Sequence, residues 1–159
     1  MKKFMKTLFP KEFWRDRAYF RALVLGAVYA FMLVMQLFTY EDFASVVQTY
    51  SLLGGETAVA VFATLIPVLG LASLPYLLSM DIPVRLWKVS RAAALVLPAV
   101  WVGIALWTNM RLLPSEAGIF GATLPTISSW WFVIFTALLM FSAVLVACEL
   151  KPRQIAKTA

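Results

Sequence analysis

The stretch that decides the fold is Ala22–Tyr40, ALVLGAVYAFMLVMQLFTY, which carries no charged side chain. A helix rises about 1.5 Å per residue, so a run of this length matches a hydrocarbon core about 30 Å thick. Three further apolar runs follow, at about 57–80, 92–108 and 129–148. Together they predict an all-α membrane protein, an antiparallel four-helix transmembrane bundle with short connections between neighbours.

Composition supports hydrocarbon as the solvent. The chain has 159 residues, of which 62% are hydrophobic and 14% charged. A soluble domain usually carries about 25% charge. So little polar surface does not cover a water-soluble body, and the length suits one domain over residues 1–159.

The distribution of charge sets the expected orientation. Lys2, Lys3, Lys6, Lys11, Arg15, Arg17 and Arg21 precede the first span. Arg85, Lys88 and Arg91 lie between the second and third, and Lys151, Arg153 and Lys157 follow the fourth. Only Arg111 falls on the other side, whereas Glu41, Asp42, Glu56 and Glu116 all fall there. Basic loops stay cytoplasmic, so both termini are expected at the cytoplasmic face of a cell membrane, with 149–159 as a cytoplasmic tail. Basic residues flank the apolar runs and form no module of their own, which predicts the lipid bilayer and not nucleic acid as the partner of the net +6 charge.

Residues 1–21 interleave the basic residues with Phe4, Leu8, Phe9, Phe13, Trp14, Tyr19 and Phe20. That mixture predicts an interfacial amphipathic segment, opened by Pro10, serving as an anchor or a dock. After the first span, Phe43, Val46, Val47 and Tyr50 recur on one helical face. This predicts a short extracytoplasmic amphipathic helix, capped by Thr39 with Asp42 and closed by Gly54-Gly55. Gly26 and Ala30 are spaced to let another helix approach.

Pro67 and Pro75 interrupt the second span and Pro98 the third. Each removes a backbone hydrogen bond and kinks the helix, and Thr64 and Ser73 are placed to serve the freed carbonyls. Trp87 and Trp107 mark the ends of the third span. The loop 109–128 is rich in Gly and Pro yet apolar, and is expected to pack on the outer ends of the helices.

Several chemistries are excluded by composition. With no histidine and one cysteine, there is no Ser-His-Asp triad, no CxxC pair and no ordinary zinc or haem ligand set. No catalytic or metal-binding residue is assigned, and no cofactor is evident. No ionisable side chain falls at mid-membrane depth, against a proton-coupled pump. Tyr29, Gln36, Thr64, Ser73, Tyr76, Thr136 and Ser142 are expected to bond between helices. Cys148 reads as a buried structural thiol, with palmitoylation the remote alternative. Glu41, Asp42, Glu56, Arg111 and Glu116 form an outer charged cluster, read as solvated loop charge.

The order of segments resembles the DoxX/MauE-like family of four-helix, redox-associated membrane proteins. The likeness runs over residues 20–148 and rests on Phe43-x-x-Val46-Val47-x-x-Tyr50, Gly54 to Glu56, Ile66-Pro67-Val68-Leu69-Gly70-Leu71 and Ala117-Gly118-Ile119-Phe120-Gly121. MauE-like members place redox cysteines in a CxCFG segment, of which this chain keeps only Phe-Gly. An acidic residue common after the second-helix proline is Gly70 here. The thiol–disulfide role therefore does not carry over, whereas the architecture does.

Three functions remain open at this level. The first is a non-catalytic subunit or accessory protein of a membrane complex, with a membrane-protein partner or a homo-oligomer. The second is a quinone- or lipid-binding redox component, with Tyr40, Tyr50, Trp107 and Phe120 as candidate binding residues. The third is a small neutral-solute transporter built on the proline kinks.

Overall fold

The computed structural model describes residues 16–50, 55–80, 82–111, 118–121 and 130–150. Five helices form among them: α1 Arg17–Phe38, α2 Tyr40–Thr49, α3 Gly55–Leu77, α4 Val84–Met110 and α5 Trp130–Glu149. Four of these, α1, α3, α4 and α5, are long and apolar enough to cross a membrane. The chain has the helices of an integral membrane protein.

The four long helices alternate in direction. Arg21 near the start of α1 meets Glu149 at the end of α5. Gly26 lies against Leu77 at the end of α3, its missing Cβ 3.2 Å from the leucine Cβ, and Arg91 near the start of α4 reaches Ala147. Neighbours around the bundle run α1–α3–α4–α5 and back to α1. α1 and α4 are therefore diagonal.

Each helix buries one stripe at helical spacing. On α5 it is Phe132, Thr136, Leu139, Ala143 and Val146, continued by Leu150. The steps of four and three residues keep these on one side of a 3.6-residue helix. Cys148 falls off the stripe and is exposed, which corrects the expectation of a buried thiol. Between the stripes, large apolar side chains point outward: Phe31, Val34 and Leu37 on α1, Val61, Val68 and Leu71 on α3, Leu138 and Phe141 on α5. Hydrocarbon supports such a surface; it also provides no hydrophobic drive between helices, so close packing and hydrogen bonds must hold them together. Trp101, wholly buried, fills the centre and meets Phe132 edge-on with centroids 6.1 Å apart.

α1 and α4 start more than a turn before their apolar runs. The Asp16 carboxylate accepts from the Ala18 N–H at 3.0 Å and caps α1. Arg17 to Arg21 are thus the first turn of the spanning helix, not part of a separate interfacial one; residues 1–15 lie outside those described. Likewise α4 begins at Val84, so Arg85, Lys88 and Arg91 ride on its first two turns instead of lying in a loop.

Phe43, Val46, Val47 and Tyr50 of α2 are all buried, as their spacing predicts. The expected cap differs. Thr39 makes no side-chain cap to α2; its hydroxyl donates back to the Met35 carbonyl at 3.0 Å, closing the end of α1. Gly55, with φ +61, opens α3 rather than closing α2, and Gly54 lies outside the described residues.

Candidate functional site

Polar side chains within the spans are few, and backbone carbonyls take most of their bonds. The long ones cross between elements. Tyr29 of α1 donates to Ala94 O of α4 at 3.1 Å. Tyr76 of α3 donates to Val146 O of α5 at 3.2 Å, and Gln36 donates to Ile119 O at 2.8 Å. The short ones turn back on their own helix: Ser73 to Gly70 O, Thr136 to Phe132 O, Ser142 to Leu138 O and Thr64 to Ala60 O. Thr64 and Ser73 therefore do not serve the carbonyls that Pro67 and Pro75 free, Ala63 and Leu71. A hydroxyl one bond from Cβ readily reaches the carbonyl three or four residues back, and Thr64 also meets the Tyr40 hydroxyl of α2.

At the end of the bundle where α1 and α4 begin, the polar groups gather. Ser90 Oγ accepts from the Tyr76 N–H at 2.9 Å, just past Pro75. Arg91 donates from Nη2 to Ala147 O at 3.0 Å and lies over the Trp87 ring, 5.6 Å from its centroid. Trp87 in turn meets Tyr76 edge-on at 5.4 Å. A cation at the C-terminus of α5 complements the helix dipole and its unpaired carbonyls. The cluster locks α3, α4 and α5 together.

At the same end, α1 and α5 leave a cleft of about 360 Å³. Of the helix neighbours around the ring, these two touch least. Val24, Leu25 and Val28 line it from α1, and Leu139, Leu145 and Val146 from α5. Ser142 lines it too, with its hydroxyl given to Leu138 O. The charged member is Arg21, whose Nη1 sits 2.5 Å from Glu149 Oε1. No spacing in the sequence signals this pair, 128 residues apart.

The four residues read from the sequence as candidate ligand contacts divide. Tyr50 and Trp107 are brought together, the indole Nε1 donating to the Tyr50 carbonyl at 3.2 Å. Tyr40 stands apart with its hydroxyl 3.1 Å from Thr64 Oγ1. Phe120 packs between Phe31 and Phe135, at 5.7 and 6.1 Å. None of the four lines the α1/α5 cleft.

Glu41, Asp42, Glu56 and Arg111 also separate. Glu41 and Asp42 occupy the first turn of α2 and Glu56 that of α3, where helix N-termini favour anions. Arg111 stacks on Trp107 at 4.6 Å, and Glu116 lies outside the described residues. Among the described residues no group of three or more His, Cys, Asp or Glu converges on a metal position. No family model matches the chain, and no curated protein or solved structure is significantly similar to it.

Proposed function

We propose that the chain is a multi-pass protein of the cell membrane, with both termini cytoplasmic, acting as a non-catalytic subunit or accessory protein of a membrane complex. One observation carries this reading: the long polar side chains of the spans hold carbonyls of other elements, so the interior polarity ties helices together instead of marking a path. Tyr29, Gln36 and Tyr76 each do this from a buried position. The basic residues at the start of α1 and α4 support the orientation, since cations are retained on the cytoplasmic side. Membership of the DoxX/MauE-like group is part of the proposal; the succession of a long helix, a short amphipathic helix and a second long helix supports it.

Gentle solubilisation from native membranes, followed by cross-linking and mass measurement, tests the reading. A stoichiometric partner or a defined homo-oligomer is expected. A monomer free of any partner across several mild detergents overturns it. Single-cysteine labelling at positions 3 and 157 in a Cys148→Ser background tests orientation separately, and labelling of either position from outside the cell refutes it.

The cleft between α1 and α5 favours a second reading, a lipid- or quinone-type ligand. Its apolar walls with one cation at the end suit an amphiphile.

A further inference from the structure

Arg17 and Arg21 stand four residues apart on α1, as neighbours on the helix surface, and both are exposed. Val24 and Val28 continue the helix into the cleft, facing Leu139 and Leu145 of α5. The wall changes from cationic to apolar within about two turns of helix.

That gradient has the shape of a phospholipid: charge at one end, hydrocarbon at the other. The cationic end selects the anionic kind. Arginine presents a planar fork of donors that fits phosphate oxygens, and basic sites between spans at the cytoplasmic surface retain anionic headgroups. Ser142, the other polar residue of the lining, has its hydroxyl on Leu138 O, so the walls below Arg21 ask nothing polar of an occupant. The cleft volume of about 360 Å³ suits part of an acyl chain, near the lower end of small-ligand sites at about 300–1,000 Å³.

We infer that the α1/α5 cleft binds one anionic phospholipid, its phosphate beside Arg17 and Arg21 and one acyl chain between Val24, Val28, Leu139 and Leu145. Glu149 tunes the site. Its carboxylate holds Nη1 of Arg21, so the phosphate competes with it for the guanidinium. The inference rests on the membrane placement proposed above and deepens the ligand-binding reading.

The test uses the full-length chain in a mild non-ionic detergent, offered equal amounts of phosphatidylglycerol and phosphatidylcholine with identical chains, with retained lipid read by native mass spectrometry. One phosphatidylglycerol is expected per chain, in several-fold preference to phosphatidylcholine. Arg21→Gln brings the two lipids to parity. Glu149→Gln breaks the same ion pair yet keeps or raises the preference, which separates headgroup binding from loss of the pair. Val28→Trp fills the cleft and lowers retention of both lipids, with the charges untouched. Equal retention of the two lipids by the unaltered chain overturns the inference. So does a loss of preference in Glu149→Gln as large as in Arg21→Gln, or a lipid-free dimer that Val28→Trp dissociates. A chain that stays monodisperse without detergent fails in a different way, by removing the membrane reading itself.

Discussion

The Tyr29 hydroxyl donates to the carbonyl of Ala94 at 3.1 Å, and Ala94 lies four residues before Pro98 inside α4. In an unbroken helix that carbonyl accepts from the N–H of residue 98, which proline lacks. The donor missing from α4 is supplied across the diagonal of the bundle by α1. Both residues are buried, at 1% and 2% exposure, so water does not supply the bond instead.

Tyr29→Phe therefore leaves an orphaned carbonyl in an apolar interior, at a cost of about 1 kcal/mol. Equilibrium unfolding in mixed micelles measures it. Pro98→Ala restores the N–H, so the same Tyr29→Phe change is expected to cost clearly less in that background, as a double-mutant cycle reports. An equal cost in both backgrounds refutes the link between hydroxyl and proline.

The turn Gly118–Gly121 packs at the end of the bundle where α1 stops. Gly121, at φ +65, donates its N–H to Gly118 O at 3.0 Å. A Cβ on Gly121 would lie 2.7 Å from Met35 O and against Thr39 Oγ1. Gly121→Ala combines that clash with the left-handed backbone penalty of about 1–2 kcal/mol. A lower melting temperature in detergent is expected, together with a lower yield of cross-linking between positions 36 and 119 as the Gln36 bond to Ile119 is lost. Gly103→Ala is the control: it sits in α4 with nothing within 4 Å of the added carbon and is expected to be neutral or to stabilise by up to about 1 kcal/mol. Equal destabilisation by both changes defeats the argument.

At the far end of α3, Met80 N–H bonds to Pro75 O at 2.9 Å and Ser79 N–H to Tyr76 O at 3.1 Å. This pair of bonds is a Schellman ending, in which the residue between helix and exit takes the left-handed conformation. Ser79 does so, at φ +50. Glycine adopts that backbone without the side-chain penalty, so Ser79→Gly is expected to stabilise by about 1 kcal/mol. Its side chain gives little back, since the buried Ser79 Oγ has no hydrogen-bond partner among the described residues. A melting temperature that falls in Ser79→Gly would show that the hydroxyl matters to the native state.

What was legible in the sequence follows physical reach. The four spans and the buried face of α2 were readable because 3.6-residue periodicity and the scarcity of charge are properties of single segments. The start of α1 was not, because Arg17 to Arg21 read as interfacial charge until Asp16 is seen capping the helix. Partners of polar side chains were half legible. Thr64 and Ser73 sit near prolines in the sequence, but both hydroxyls donate within their own turn, whereas Tyr29 is long enough to cross the bundle. The gap at Ala94 was implied by Pro98 alone; the residue that fills it depends on which helices lie diagonal. The α1/α5 cleft depends on how far two helices splay, which no local pattern encodes. Tyr40, Tyr50, Trp107 and Phe120 were grouped by residue type and level, and the fold uses them in three separate contacts.

Two arginines at one end of the bundle should answer differently to salt. Arg91 caps Ala147 O from a partly buried position with its ring contact to Trp87. Removing it in Arg91→Met keeps an apolar stem but drops the cap and the dipole contact, a loss of about 1 kcal/mol. Helix carbonyls shielded by Tyr76, Trp87 and α5 are poorly reached by ions, so most of that loss should persist at 1 M salt, where the Debye length is about 3 Å. The Arg21–Glu149 pair is exposed on both sides, 48% and 37%, and an exposed pair contributes little and less again in salt. Glu149→Gln is therefore expected to shift the melting temperature only slightly at low salt and not measurably at high salt. Melting curves of the two variants at low and high salt decide it; a loss in Arg91→Met that vanishes with salt would place Arg91 among the screened surface charges and remove it as the cap of α5.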